Sequence, residues 1–199
     1  MLGVSWTDGD PSVIHFETEP YTSALREWLD VEGKHYLQNA SPGCLWAVSA
    51  RRQEVGLCGE RVGVGPLLGL CLCGRPVARG LPQDGSTVEI TRMVLVPGLP
   101  HGTASAMLRH AVEVARLRGA SKVIAYHDRT RHTGCIYKKA GFRKAGTVKP
   151  RATGWGSRDG RKSAEYEATP KRRWELDLAC RQSHADALRV HATRGKDGS

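Results

Sequence analysis

The stretch from residue 88 to residue 142 constrains the fold of this chain more than any other. VEITRMVLV is rich in β-branched residues with period-2 character, PGLPHGTAS breaks it, and ASAMLRHAVEVARLRG continues as a helix. KVIAYHD reads as a second strand and HTGCIYKKAGF as a short helix closing on Gly-Phe. A strand that feeds a small-residue turn at a helix N-terminus can hold an anionic phosphate group. Unpaired backbone N–H groups and the positive end of the helix dipole converge there.

The flanking sequence supplies the rest of a sheet. Residues 12–17 (SVIHFE) read as a short strand, and YTSALREWLDVEGKHY carries Leu25, Trp28, Leu29 and Tyr36 at helical spacing, with Thr22 or Ser23 as N-cap. Residues 43–50 and 67–73 read as strands joined by a Gly-rich loop, and GRPVARGLPQDG turns the chain into the strand at 87–96. After residue 142 come a strand RKAGTVK, a basic loop PRATGWGSRDGRK and a late strand RRWELDLAC. That order is an α+β domain with a mixed, mostly antiparallel sheet and flanking helices. It excludes a Rossmann unit, which needs G-x-G-x-x-G after its first strand. One domain over residues 1–180 is expected, with residues 181–199 as a polar, disordered tail.

At 199 residues with a net charge of +10, the distribution of charge matters more than its size. Asp8, Asp10, Glu17, Glu19, Glu27, Asp30 and Glu32 outnumber Arg26 and Lys34 in the first 42 residues. Between residues 143 and 173 the bases Arg143, Lys144, Lys149, Arg151, Arg158, Arg161, Lys162, Lys171, Arg172 and Arg173 face only Asp159, Glu165 and Glu167. Such a segment suits a polyanion, nucleic acid first among them, with a solvated basic loop as the alternative. Trp155 among those arginines can stack on a base or plug a sheet edge. No apolar run approaches the roughly 20 residues of a membrane span. The N-terminus lacks a secretory pattern. Six cysteines without a C-x-x-C pair are expected to be buried, reduced thiols in a cytoplasmic protein, with zinc as the minor alternative.

VLVPGLPHGTASAML followed by YHDRTRHTGCIYKKAGF resembles the core of the GNAT acyltransferases. The resemblance implies a splayed central strand pair with acyl-CoA between the strands at 87–96 and 122–128, and places Val94 and Val96 beside it. It puts Thr103 and Ser105 where the family's pyrophosphate loop has glycines, and Pro100 where it has arginine or glutamine. Their hydroxyls are expected to add hydrogen bonds to the phosphates. It also places Tyr137 where the family's tyrosine protonates the leaving thiolate; a packed core tyrosine is the alternative.

A narrower group is also similar, the Mom-like phage DNA-modification proteins. The residues that carry this are His35-Tyr36, GRPVAR, EITR ending at Arg92, Ser105, Asp128, Tyr137, GWGSRDGR and KRRWEL. It implies an enzyme that uses acetyl-CoA to convert adenine in DNA to a carbamoylmethylated form, shielding phage DNA from restriction. On that resemblance His35, Tyr36, Asp128 and Tyr137 are catalytic. His35, Tyr36 and Asp128 are also a candidate iron set, with plain catalysis or substrate positioning as the alternative. Asp128, at a strand end, can orient an amine or accept its proton, or act as a loop acid or cap. Arg92 shares period-2 spacing with Ile90 and Val94, which predicts the core face, where an arginine needs an anion: acyl-CoA phosphate, an active-site carboxylate, or Glu89. Arg151, Trp155, Arg158, Arg161, Lys162, Arg172 and Arg173 are the DNA-binding set. DNA and acetyl-CoA are the expected partners, without a membrane; a homodimer stays open. A conventional N-acetyltransferase and a non-enzymatic DNA-binding protein on an acyltransferase scaffold are the rival readings.

Overall fold

The computed structural model describes residues 14–31, 43–55, 61–148 and 169–178. The chain runs β1 (Ile14–Pro20), α1 (Ser23–Val31), β2 (Cys44–Val55), β3 (Arg61–Gly74), β4 (Thr87–Leu95), α2 (Thr103–Leu117), β5 (Lys122–Asp128), α3 (Cys135–Lys139), β6 (Arg143–Val148) and β7 (Lys171–Asp177). The seven strands form one sheet in the order β1-β2-β3-β4-β5-β7-β6. Every pairing is antiparallel except β4 with β5. No helix among the described residues is long and apolar enough to cross a membrane.

Two apolar layers sandwich the sheet. On one face Leu25 and Leu29 of α1 pack on Ala47, Leu70, Leu72 and Val94. On the other, α2 lays Ala106, Met107, Leu108, Ala111 and Ala115 over Val48, Cys71, Cys73, Val88 and Ile90. Helix α2 ends in a Schellman closure, with Gly119 N–H on Arg116 O and Ala120 N–H on Ala115 O, both at 3.0 Å.

Most elements fall where the sequence puts them. The Gly-rich connection expected between residues 50 and 67 is instead largely the extended arms of β2 and β3, which pair out to Val55 and Arg61. Hairpin pairing across several register shifts overrides the loop-like composition. The late strand β7 does not follow β6 outward; it inserts between β5 and β6 and leaves β6 as the exposed edge. Arg143 and Lys144 on that edge discourage pairing with another chain.

Met107 is fully buried and Leu117 is 63% exposed on the same helix. Met107→Ala is expected to lower the unfolding free energy in urea by about 2–5 kcal/mol. Leu117→Ala should change it by less than about 0.5 kcal/mol.

Candidate active site

The site begins where the central strands part. The β4–β5 ladder runs only from Thr87↔Lys122 to Ile90↔Ala125, although β4 continues to Leu95 and β5 to Asp128. Strand β4 stays on β3 as far as Gly69↔Leu95, with Val96 N–H on Leu68 O at 2.9 Å beyond it. The parting coincides with a bulge: Leu72 faces Arg92 and Cys73 faces Ile90, which leaves Thr91 as the extra residue. Its hydroxyl closes on Leu72 O at 3.3 Å. A bulge bends and twists its strand, and here it turns β4 away from β5. Beyond Ile90 the edge of β4 that faces β5 has no ladder partner there, an arrangement that calls for another hydrogen-bonding chain or ligand.

The bulge also corrects the period-2 reading of Arg92. Ile90 packs with the α2-side core and Val94 with the α1-side core, so they lie on opposite faces. Alternation from Val94 puts Arg92 on the α1 side, where it donates to Thr91 O at 2.7 Å and its charge favours ionisation of Glu89. Val94 therefore points away from the cavity beside the gap, while Leu95 and Val96 line it.

That cavity, about 290 Å³, lies between the β4–α2 turn and α3 and includes His101, Gly102, Ser105, Cys135 and Lys139 in its wall. Gly102 caps α2 without a side-chain bond. Thr103 Oγ1 donates to Pro100 O at 2.7 Å and Ser105 Oγ to Gly102 O at 3.0 Å. The two hydroxyl protons thus tighten the turn instead of projecting to a phosphate, as short hydroxyl side chains near a helix start commonly do. Thr103 and Ala106 N–H groups bond to Pro100 O and Gly102 O. Among the described residues no backbone acceptor takes Ala104 or Ser105 N–H, and these two donors at the positive end of α2 suit an anion.

Beside the last paired residues of β4 and β5, the α1 face carries a polar group whose assembly sequence reading missed. Glu89 is 6% exposed, and burial pushes its carboxyl above the usual range, partly offset by a hydrogen bond from Val77 N–H and by Arg92, Lys171 and Arg173. Tyr126 lies opposite Arg173 in the β5–β7 register, and burial raises its phenol. Arg173 is ion-paired with Glu175 on the same strand face. A basic residue expected to meet DNA is therefore committed to an internal carboxylate, whereas Arg172 sits on the opposite face of β7, beside His127 in register. The available signal was the parity of Glu89 in β4 and Tyr126 in β5, but only the strand pairing shows that they share a face.

Tyr137 on α3 is buried and belongs to an aromatic group. Its ring is near-parallel to His127 (5.8 Å, 16°) and Trp174 (5.5 Å, 18°) and edge-on to Phe142 (5.9 Å, 81°). Trp174 Nε1–H donates to His127 Nδ1 at 2.6 Å. An indole can only donate, so this bond needs an unprotonated Nδ1.

Asp128 ends β5 as a turn-former. Oδ1 accepts Thr130 N–H (2.8 Å) and the Thr130 hydroxyl (2.6 Å), and Oδ2 accepts the Thr169 hydroxyl (2.7 Å). Burial alone raises this carboxyl, but those bonds and Arg131 outweigh it and hold the pKa at about 2. So held, Asp128 is a weak base near neutral pH and fits its capping alternative. Both of its oxygens already accept bonds from protein donors, and its two companions in the candidate iron set, His35 and Tyr36, lie outside the described residues. His35, Tyr36, Arg151, Trp155, Arg158, Arg161, Lys162 and the 181–199 tail lie outside the described residues. Of the cysteines, Cys71 and Cys73 are buried as expected, whereas Cys135 is exposed.

No protein-family model and no curated protein matches the sequence. Solved structures do. The IAA acetyltransferase from Bacillus cereus superposes with a TM-score of 0.52 at 19% identity, over 83% of this chain and 99% of that one. A Bacillus subtilis acetyltransferase in complex with CoA gives 0.50 at 18% identity, over 83% and 99%. The ribosomal-protein-S18-alanine N-acetyltransferase from Escherichia coli gives 0.52 at 11% identity, over 82% and 94%. The chain has the GNAT acetyltransferase fold.

His127 and His110 are both held below the ordinary histidine range, chiefly by burial. Each binds fewer protons folded than unfolded, so stability rises with pH through their unfolded pKa and falls below about pH 6.5. Asp128 adds a second loss at lower pH, between its unfolded value of 3.8 and its folded value of about 2. Urea unfolding across pH is expected to show both declines, with Asp128→Asn removing only the lower one and reducing stability at neutral pH.

Proposed function

We propose that this protein is an acyl-CoA-dependent transferase that acts on adenine N6 in DNA. One observation carries the acyl-CoA half: β4 and β5 stop pairing at Ile90 and Ala125 and run on beside a cavity at the open N-terminus of α2. A ligand with a peptide-like arm and phosphates matches an unpaired strand edge next to helix N–H groups. Acetyl-CoA supplies an activated acyl thioester. Leu95 and Val96 flank its arm, and the N–H groups of Ala104 and Ser105 take its pyrophosphate. Lys139 on the cavity wall adds positive charge.

The chain's own groups divide the proton work. Tyr137 donates its phenolic proton to the leaving sulfur, since a phenol with an ordinary pKa of about 10 suits a thiolate. Glu89, desolvated on the other face, takes the proton released by the attacking amine. A carboxylate whose charged form is disfavoured is a stronger base than an exposed one. Tyr126 beside it offers a ring and a hydroxyl to the acceptor.

The DNA half is supported by the net charge of +10, by the basic segment 143–173 and by the resemblance in GRPVAR, EITR and KRRWEL. Adenine N6 is hidden in a stacked duplex, so the target base is flipped or locally unpaired. Plain acyl transfer to N6 forms the N–C bond as the C–S bond breaks and gives an acetamide. A carbamoylmethyl product additionally needs a nitrogen donor, a rearrangement that bonds N6 to the acyl methyl carbon and a two-electron oxidant, none of which the residues named here supply. A conventional N-acetyltransferase is the second reading, favoured by the likeness to the ribosomal-protein-S18-alanine N-acetyltransferase.

Expression in bacteria, digestion of plasmid DNA to nucleosides and mass spectrometry test the proposal. A mass-shifted deoxyadenosine is expected. Tyr137→Phe and Glu89→Gln should each reduce it by about 100-fold or more with DNA retention on heparin unchanged. Unmodified DNA from cells making soluble, acetyl-CoA-binding protein would transfer the reading to the conventional acyltransferase.

A further inference from the structure

Helix α3 has five residues, too few to hold a helical conformation by itself. Its place is set by what it rests on. Gly134 enters it at φ 76°, and a Cβ there would stand 2.5 Å from His127 Cε1 and 2.7 Å from Trp174 Cζ2, so the backbone lies directly against both rings. The β5–β7 register sets Trp174 opposite Ala125, whose small side chain leaves room for the indole, and one step diagonal to His127 on the same face. Trp174 is 2% exposed and touches Tyr137 both directly and through His127. Arg109 adds a tie from α2 to Lys139 O, at the far end of α3.

We propose that Trp174 is a positioning residue for Tyr137, its indole and its hydrogen bond to His127 forming a rigid seat that fixes the phenol ring relative to the β4–β5 gap. The proposal rests on the reading of Tyr137 as the proton donor. A strand that joins the sheet from the far end of the chain thereby controls the acid on a helix near its middle, and the bond locks the orientation of both rings under Tyr137. Phe142 closes the remaining side, with its N–H on Tyr137 O at 3.0 Å.

The test is a double-mutant cycle between Trp174→Leu and Tyr137→Phe. CoA release is measured with plasmid DNA as acceptor, and acetyl-CoA affinity by calorimetry. Trp174→Leu is expected to slow release about tenfold or more at saturating acetyl-CoA while leaving the Kd within about threefold. It should slow the Tyr137→Phe enzyme no further, because the seat acts only through the phenol. Trp174→Phe, which keeps a ring but loses the N–H, should fall between, and it replaces the leucine variant if that does not fold. An equal slowing in both tyrosine backgrounds, or a loss confined to Kd, overturns the proposal. A wild-type protein that neither binds acetyl-CoA nor modifies DNA would defeat the functional reading. Ring-proton NMR of labelled tyrosines then decides the seat alone. Upfield Tyr137 signals that relax toward free-tyrosine positions in the Trp174 variants support it, and unchanged signals overturn it.

Discussion

Everything at the candidate site depends on β4 keeping one partner and losing the other. It stays hydrogen-bonded to β3 out to Leu95, yet leaves β5 after four paired residues. Leaving a strand edge unpaired near a core is costly unless something else bonds to it. The Thr91 bulge makes the departure by bending the strand at the last paired position. The core on both sides holds it open, since α1 packs on β2, β3 and β4 through Ala47, Leu70, Leu72 and Val94 while α2 covers Val88 and Ile90.

The two faces of the split sheet differ in chemistry, and β5 shows why. Its alternation sends Val123, Ala125 and His127 into the α2 side and Tyr126 to the other. One side becomes an aromatic support for α3. The other gathers Glu89, Tyr126, Arg173 and Glu175 into a partly buried polar group in which Arg173 pairs with Glu175 and favours ionisation of Glu89. Tyr137 on the α2 side and the desolvated Glu89 on the α1 side are the two proton sites of the proposed acyl transfer.

Local features were legible in the sequence, and long-range pairing was not. The 88–142 block announced its strand, turn, helix, strand and short helix through hydrophobic period and Gly/Pro breaks, and the structure keeps that order. Arg92 does face a core layer, as its spacing suggested, but Ile90 does not share that face, because a single inserted residue inverts parity, and no local signal marks Thr91 as a bulge. The insertion of β7 beside β5 was equally invisible, since it joins residues far apart in the chain; with it went the aromatic seat, while the shared face of Glu89 and Tyr126 came from the β4–β5 pairing. Asp128 is an intermediate case. D-x-T at a strand end is a readable turn former, but the Thr169 hydroxyl that completes its shell arrives with β7.

The most direct test of the central claim is a map of backbone amide NMR shifts during an acetyl-CoA titration of the wild-type protein. Binding in the gap predicts that the largest changes fall on residues 91–96 and on Ala104 and Ser105, with Leu70 and Leu72 on the paired side of β3 little affected. Saturable shifts confined to other surfaces, or none at all, would contradict the account.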